Sequence, residues 1–377
     1  MSNPAPVGPD QDVSRSVEKL EVARVPEDPD AERRIVLVAG SGRSGTSLMS
    51  GILKHLGMHV PEPEVVADGT NPTGFGEPQW VVDFHDVLLR RAIVHPSDAR
   101  PSAWFDAGRV SGREVFRSQL ATWLGEQFTL ADTLVIKDPR LAWFLGLWRV
   151  AAVRSGAATS TITMLRPPTE VVSSKNKAYG GRLGDISRLA GWTNMMLYTE
   201  RATRGSRRTF VRYHDLIEDW TYTVVRAGEE LGLEGITNAG AARMKEVHSF
   251  VDPTLHRVRA TWEDLSVPQP LREVAEQTWV QLNTLAEPDG DTTVVRDELD
   301  RLRQVYGDLY AEAEAMASSS ADAAGPAFLR ATRRAREARI AEQAQADPVD
   351  ELPVRTATLR ARSLAGRFKR RLRSWLA

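Results

Sequence analysis

The 377-residue chain contains no cysteine. Disulfides, thiolate metal sites and a cysteine nucleophile are therefore excluded, and a reducing, cytoplasmic setting is compatible with that absence. Long apolar runs are missing too. No window approaches eighteen consecutive apolar residues, so no segment reads as a membrane-spanning helix. The opening MSNPAPVGPDQDVSRS has neither the basic start nor the apolar centre of a secretory signal. Asn71-Pro72-Thr73 has proline in its middle and is no glycosylation acceptor. Net charge is nearly absent: 49 Lys+Arg stand against 50 Asp+Glu, a formal −1. Nucleic acid is therefore not an expected partner of the whole chain.

That near-zero total hides an asymmetry. Residues 355–377 hold eight Arg and Lys and no acid, leaving 41 basic against 50 acidic residues in the rest, a net of −9. Within the basic segment Ala361, Leu364, Ala365, Phe368, Leu372, Trp375 and Leu376 recur at three- and four-residue steps. On a helix they form one apolar stripe flanked by cations, the pattern of an interfacial helix on anionic lipid at the inner face of a membrane, or of a helix docked on a protein surface. Residues 1–30, with five prolines and seven acids, read as a disordered tail. Residues 31–316 read as the main domain. Residues 317–354 read as a linker (Ser318–Ser320, Gly325-Pro326) followed by a charged helix.

The main domain opens on Ile35-Val36-Leu37-Val38-Ala39, a short continuous apolar run suited to a strand buried on both faces. Gly40-Ser41-Gly42-Arg43-Ser44-Gly45-Thr46-Ser47 follows, and then Leu48, Met49, Ile52, Leu53 and Leu56 recur at helical spacing up to Gly57. Further strands read at Thr133–Ile136 and Ser160–Leu165, with a weaker one at Thr209–Arg212; helical patterns alternate with them. Such alternation predicts an α/β fold with a central parallel sheet, whose ligands sit at the carboxyl ends of strands. From about residue 239 the pattern is mainly helical.

Glycines spaced as in Gly40-x-x-x-x-Gly45 let backbone N–H groups converge on phosphate oxygens at a helix N-terminus. The fold class implied is P-loop-NTPase-like, three layers in the order α/β/α, with a C-terminal helical extension. A nucleoside-triphosphate loop also needs lysine where Thr46 stands, to reach the outer phosphates. Here the cation is Arg43, three positions earlier and inside the loop.

Arg43-Ser44-Gly45-Thr46-Ser47 after an apolar strand resembles the 5′-phosphosulfate loop of sulfotransferases, which use 3′-phosphoadenosine 5′-phosphosulfate (PAPS). Arginine at the basic position is closer to the tyrosylprotein and bacterial branches than to the cytosolic one. Arg166-Pro-Pro-Thr-Glu-Val-Val-Ser-Ser174 resembles the family's 3′-phosphate site, an arginine at a strand end and a serine eight residues on. The resemblance implies that Gly42, Arg43, Ser44, Gly45, Thr46 and Ser47 hold the phosphosulfate. It implies that Arg166 and Ser174 hold the 3′-phosphate, that Lys137 and Arg43 neutralise charge during transfer, and that Tyr213 touches adenine. Phe250–Arg257 resembles a C-terminal segment of bacterial members, from which Arg257 reaches the 3′-phosphate.

Sulfuryl transfer needs a general base and cationic stabilisers; no metal is expected. Glu77, in a Pro/Gly-rich loop before a helix, matches the base of the tyrosylprotein branch; His85 is the other candidate. The acceptor is a hydroxyl or amine of a small molecule, a glycan or a glycolipid. Trp80, Trp104, Trp143 and Trp192 serve either as stacking platforms for it or as core. The competing readings are a P-loop small-molecule kinase and a non-catalytic nucleotide-binding protein at a membrane surface.

Overall fold

A computed structural model of the chain describes residue 28 and residues 31–69, 71, 74–180, 184–252 and 259–346, with side chains described through residue 319. Arg257, the basic segment 355–377 and all but Asp28 of the expected N-terminal tail lie outside the residues whose side chains are described. The chain divides into two units, 1–314 and 315–377.

Four strands, β1 (Arg33–Ala39), β2 (Thr133–Lys137), β3 (Ala157–Leu165) and β4 (Arg207–Arg212), form one parallel sheet in the order β2-β1-β3-β4. β1 occupies the interior of the sheet, which explains its continuous apolar run: Ile35, Val36, Leu37 and Val38 are all fully buried. Each such burial is worth on the order of 1.5–3 kcal/mol. Side chains alternate across the sheet. Ile35, Leu37, Leu134 and Ile136 face one cluster with α2 (Gln79–Ala92), α3 (Ala103–Ser111), α4 (Glu114–Gln127) and α5 (Leu145–Arg154). Val36, Val38, Val135, Ile162 and Met164 face another with α1 (Thr46–His55) and, beyond the sheet, α9 (Trp220–Leu231) and α11 (Ala241–Phe250). This is the three-layer α/β arrangement the sequence predicts.

A third cluster joins the ends of β3 and β4, through Leu165 and Phe210, to α6 (Pro168–Tyr179), α7 (Asp185–Thr203), α12 (Gln269–Thr284) and the first turns of α13 (Thr293–Ala346). Two short helices, α8 (Tyr213–Glu218) and α10 (Glu234–Thr237), complete the described helices longer than one 3₁₀ turn apart from Pro139–Trp143. The linker expected at Ser318–Ser320 and Gly325-Pro326 is instead helical backbone within α13. Its surrounding Ala, Arg and Glu residues are strong helix formers, and their summed preference outweighs the scattered breakers.

The segment between α2 and α3 is clamped onto α7. Asn194 Nδ2 donates to the carbonyls of Asp98 (3.0 Å) and Arg100 (2.9 Å). The Tyr306 hydroxyl lies 2.6 Å from the Ala99 carbonyl. Gly191 lets the backbones close up: a Cβ there would stand 2.4 Å from the Ser97 carbonyl oxygen. Gly191→Ala is therefore expected to cost about 1–3 kcal/mol through forced backbone shifts, read as a lower urea midpoint at unchanged slope. A variant as stable as the parent would show that this contact is looser than described.

Candidate active site

The site lies along the carboxyl ends of the strands, where a parallel sheet presents its ligand crevice. Between β1 and α1 the backbone has positive φ at Gly40 (128°), Arg43 (74°) and Gly45 (89°). Arginine in the left-handed region is strained by about 1–2 kcal/mol, so neighbouring structure has to hold it. Two contacts do. The Arg43 carbonyl accepts from Arg166 Nη1 at 3.1 Å, and Arg43 Nε donates to Ser174 Oγ at 3.1 Å. Gly45 is required by close approach as well as by φ, since a Cβ would meet the Tyr213 ring at 2.3 Å.

Arg166 stands at the end of β3. Proline at 167 and 168 starts α6 at once, because a fixed φ and a missing N–H suit a helix's first turn. Glu170, one turn along, then pairs with Arg166 Nε at 2.9 Å and lies 3.1 Å from His214 Nε2. Burial works against the Glu170 carboxylate, but the bonds to His214 and Arg166 outweigh it and hold its pKa below the usual value. The Arg166 guanidinium also covers the Tyr213 ring at 4.6 Å.

These contacts revise three expectations. Arg166 and Ser174, both expected at the 3′-phosphate, are bridged by Arg43, which contacts each of them. Arg43, expected beside Lys137 in neutralising charge, instead reaches Ser174 on α6. Tyr213, expected at adenine, is buried with Arg166 on its ring and its edge against Gly45.

At the other end of the loop, Lys137 closes β2. It is almost wholly buried, and its Nζ donates to Ser47 Oγ (3.1 Å), the Phe75 carbonyl (3.0 Å) and Glu77 Oε1 (2.5 Å). Asn71 Nδ2 donates to the same Ser47 Oγ at 3.1 Å. A hydroxyl has two lone pairs and one proton; with both pairs engaged, Ser47 is left with its proton to offer. Glu77 sits just before α2, buried. Burial pushes its carboxyl above the ordinary 4.5, with the Lys137 charge pulling the other way.

His85 is the clearest correction. It has no exposed surface; its Nδ1 lies 2.8 Å from Asp138 Oδ2, and its Nε2 accepts from Trp148 Nε1 at 2.9 Å. An indole N–H only donates, so Nε2 is bare and the proton sits on Nδ1, pointed at Asp138. Neither nitrogen is available to an acceptor. Burial disfavours the Asp138 carboxylate, but His85 and Arg140 overcome this and hold its pKa at about 2. The tryptophans are likewise packed inward: Trp143 and Trp192 are buried, Trp80 stacks on Trp123, and Trp104 stacks on Tyr198.

Sequence reading missed Lys175. In Ser174-Lys175-Asn176-Lys177 it looks like a surface lysine, yet it is buried and donates to Ser41 Oγ of the loop at 3.1 Å. Among the described residues no group of His, Asp and Glu side chains is arranged to hold a metal, and no helix is long and apolar enough to cross a membrane.

No family model matches the chain, and no curated protein matches it. Among solved structures it is similar to the sulfotransferase domain of the Synechococcus PCC 7002 olefin synthase, at 16% identity and TM-score 0.40, covering 70% of this chain and 97% of that one. It is also similar to the sulfotransferase domain from the curacin biosynthetic pathway, at 16% identity and TM-score 0.38, covering 67% and 98%.

The His85 network yields a test. His85→Ala would strand a buried indole N–H and remove a donor from Asp138, at about 1–3 kcal/mol for each group left unsatisfied. Expected is a stability loss of about 3 kcal/mol by chemical denaturation. A variant as stable as the parent but without turnover would return His85 to the chemistry.

Proposed function

We propose that this chain is a PAPS-dependent sulfotransferase that moves a sulfuryl group to a hydroxyl or amine of a small-molecule, glycan or glycolipid acceptor. The observation that carries the reading is a phosphate-type loop with threonine where a triphosphate loop needs lysine, flanked by two cation–hydroxyl clusters. Arg43, Ser174 and Arg166 stand at one end; Lys137 and Ser47 stand at the other. A ligand with phosphate at both ends of a nucleoside suits that division. The residues present fit such a donor. Ser44 Oγ is buried with no hydrogen-bond partner among the described residues, and Ser47 retains a proton to donate.

When bound, PAPS supplies a sulfuryl group whose sulfur–oxygen bond to the 5′-phosphate breaks as the bond to the acceptor forms, leaving adenosine 3′,5′-bisphosphate. In this reading Gly42 to Ser47 orient the phosphosulfate with amides and hydroxyls. Lys137 offsets the charge that grows on the leaving phosphate. Glu77 takes the acceptor's proton onto a carboxylate oxygen, its ordinary acidity weakened by burial as a base requires. Arg43, through Ser174, and Arg166 hold the 3′-phosphate, which requires Arg166 to share itself with Glu170. Acting on a glycolipid or at a membrane face would give the basic segment 355–377 a purpose.

Titration calorimetry with PAPS and ATP tests the donor. Preference for PAPS is expected without added metal, and equal affinity for ATP overturns the reading. Glu77→Gln is expected to lower turnover by about 10²–10⁴-fold, the span of general-base catalysis, with donor affinity nearly unchanged. The sign for pH follows from the raised Glu77 pKa. The base is lost as pH falls, and the midpoint of that loss lies above 4.5. An acid limb below that value would assign the proton transfer elsewhere.

A further inference from the structure

Lys175 has no part in the chemistry above, yet it is a cation held against the loop. It follows Ser174 on α6 and is 6% exposed. Its Nζ donates to two neutral hydroxyls, Ser41 Oγ at 3.1 Å and Ser97 Oγ at 3.4 Å. Among the described residues no carboxylate pairs with it. From α7 the charge it feels is another cation, Arg188. From the segment before α3 the neighbouring acid, Asp98, is turned away, its oxygens held by Arg100 and by the His95 amide. From the loop it meets only Ser41.

Lys137 makes the contrast. It is as deeply buried but paired with Glu77. An ammonium taken out of water without a counter-charge costs several kcal/mol. Burial, with Arg188 adding to it, accordingly pushes the Lys175 pKa down to about 8. A charge kept at such a cost has a function where an anion arrives to balance it, and Ser41 links it to the loop built for one. The Ser41 hydroxyl donates to the Gly42 carbonyl at 3.4 Å, a long bond that a ligand oxygen can replace, and a hydroxyl that accepts from an ammonium is a stronger donor in its turn.

We propose that Lys175 is a positioning residue for an anionic ligand: it stands behind Ser41 and stabilises, through that hydroxyl, the phosphate- or sulfate-bearing group held by residues 40–47. The identity of the ligand rests on the sulfuryl-transfer reading; the anion dependence does not. The group sensed is the one in the loop, not the one at Arg166. Lys175 therefore discriminates between nucleotides with and without a 5′-substituent.

The test is calorimetry on the full chain at about pH 8.5, in two buffers of different ionisation enthalpy, with adenosine 3′,5′-bisphosphate and adenosine 3′-phosphate. The parent is expected to take up a fraction of a proton on binding the bisphosphate, as the anion restores the charge on Lys175. Lys175→Met is expected to abolish that uptake and weaken the bisphosphate about tenfold, the scale of one charge acting at a partly screened buried site. Adenosine 3′-phosphate is expected to bind both proteins within about twofold, since nothing it carries lies in the loop. Without ligand the Lys175→Met protein is expected to melt no lower than the parent, because an uncompensated buried charge is gone. Equal bisphosphate affinity in the two proteins, or an equal loss for both nucleotides, overturns the proposal. If the parent binds neither nucleotide, the sulfuryl-transfer reading falls by itself. Lys175 is then judged with pyrophosphate, which must bind the parent more tightly than the Lys175→Met protein.

Discussion

The structure of the site depends on one hydrogen bond, from the Arg166 guanidinium to the Arg43 carbonyl at 3.1 Å. β1 has to turn into α1 within a few residues, and it does so through three residues of positive φ, one of them an arginine. Two of the three are glycines and turn at little cost; Arg43 does not. Arg166 reaches the carbonyl because β3 lies beside β1 and runs two residues past its end, Ala39 pairing with Thr163 while β3 continues to Leu165. The register of the sheet thus determines the shape of the loop. Tyr213, from the start of α8 after β4, supports the same turn from below. Three strands converge on one backbone carbonyl and one glycine.

Charge is handled locally at the loop, and in the proposed reading this is how a body of net −9 takes an anionic donor. Each cation at the loop is buried or half-buried and meets a different counterpart: Arg166 a carboxylate, Lys137 a carboxylate and a hydroxyl, Arg43 a hydroxyl, Lys175 two hydroxyls. Screening by salt weakens surface charges and scarcely touches these. Carboxylates hold Arg166 and Lys137 inward, while Arg43 and Lys175 donate to hydroxyls.

The sheet and its loop were legible because β1 and β2 carry continuous apolar runs, because β3, buried along its length, is rich in β-branched Thr and Ile, and because glycine spacing survives as sequence. Residues at strand ends were legible for the same reason: a parallel sheet places every carboxyl end on one side. What could not be read was direction. Arg43 reaches Ser174 on α6, a partner 131 residues away that no motif states. His85 is sealed in the core by Trp148 and Asp138, partners 63 and 53 residues away. Lys175 sits among polar residues that resemble a wet helix face. α7 escaped a helical reading because most of its circumference is buried, Glu200 and Asn194 included, so no apolar stripe marks it.

Glu77 and Asp138 show how environment divides roles between carboxylates that feel each other's charge. Both are buried near Lys137 and Arg140. Asp138 accepts from His85, from the Arg140 amide and from the Arg140 guanidinium, and that many donors keep it ionised to about pH 2. A carboxylate so stabilised is a poor proton acceptor. Glu77 has fewer donors and the negative charge of Asp138 close by, and burial leaves its proton affinity raised. Two titratable groups pushed apart in this way are the usual sign of divided labour in a site. Here Asp138 fixes His85 and the turn after β2, and the raised proton affinity of Glu77 suits the base role it has in the proposed reading.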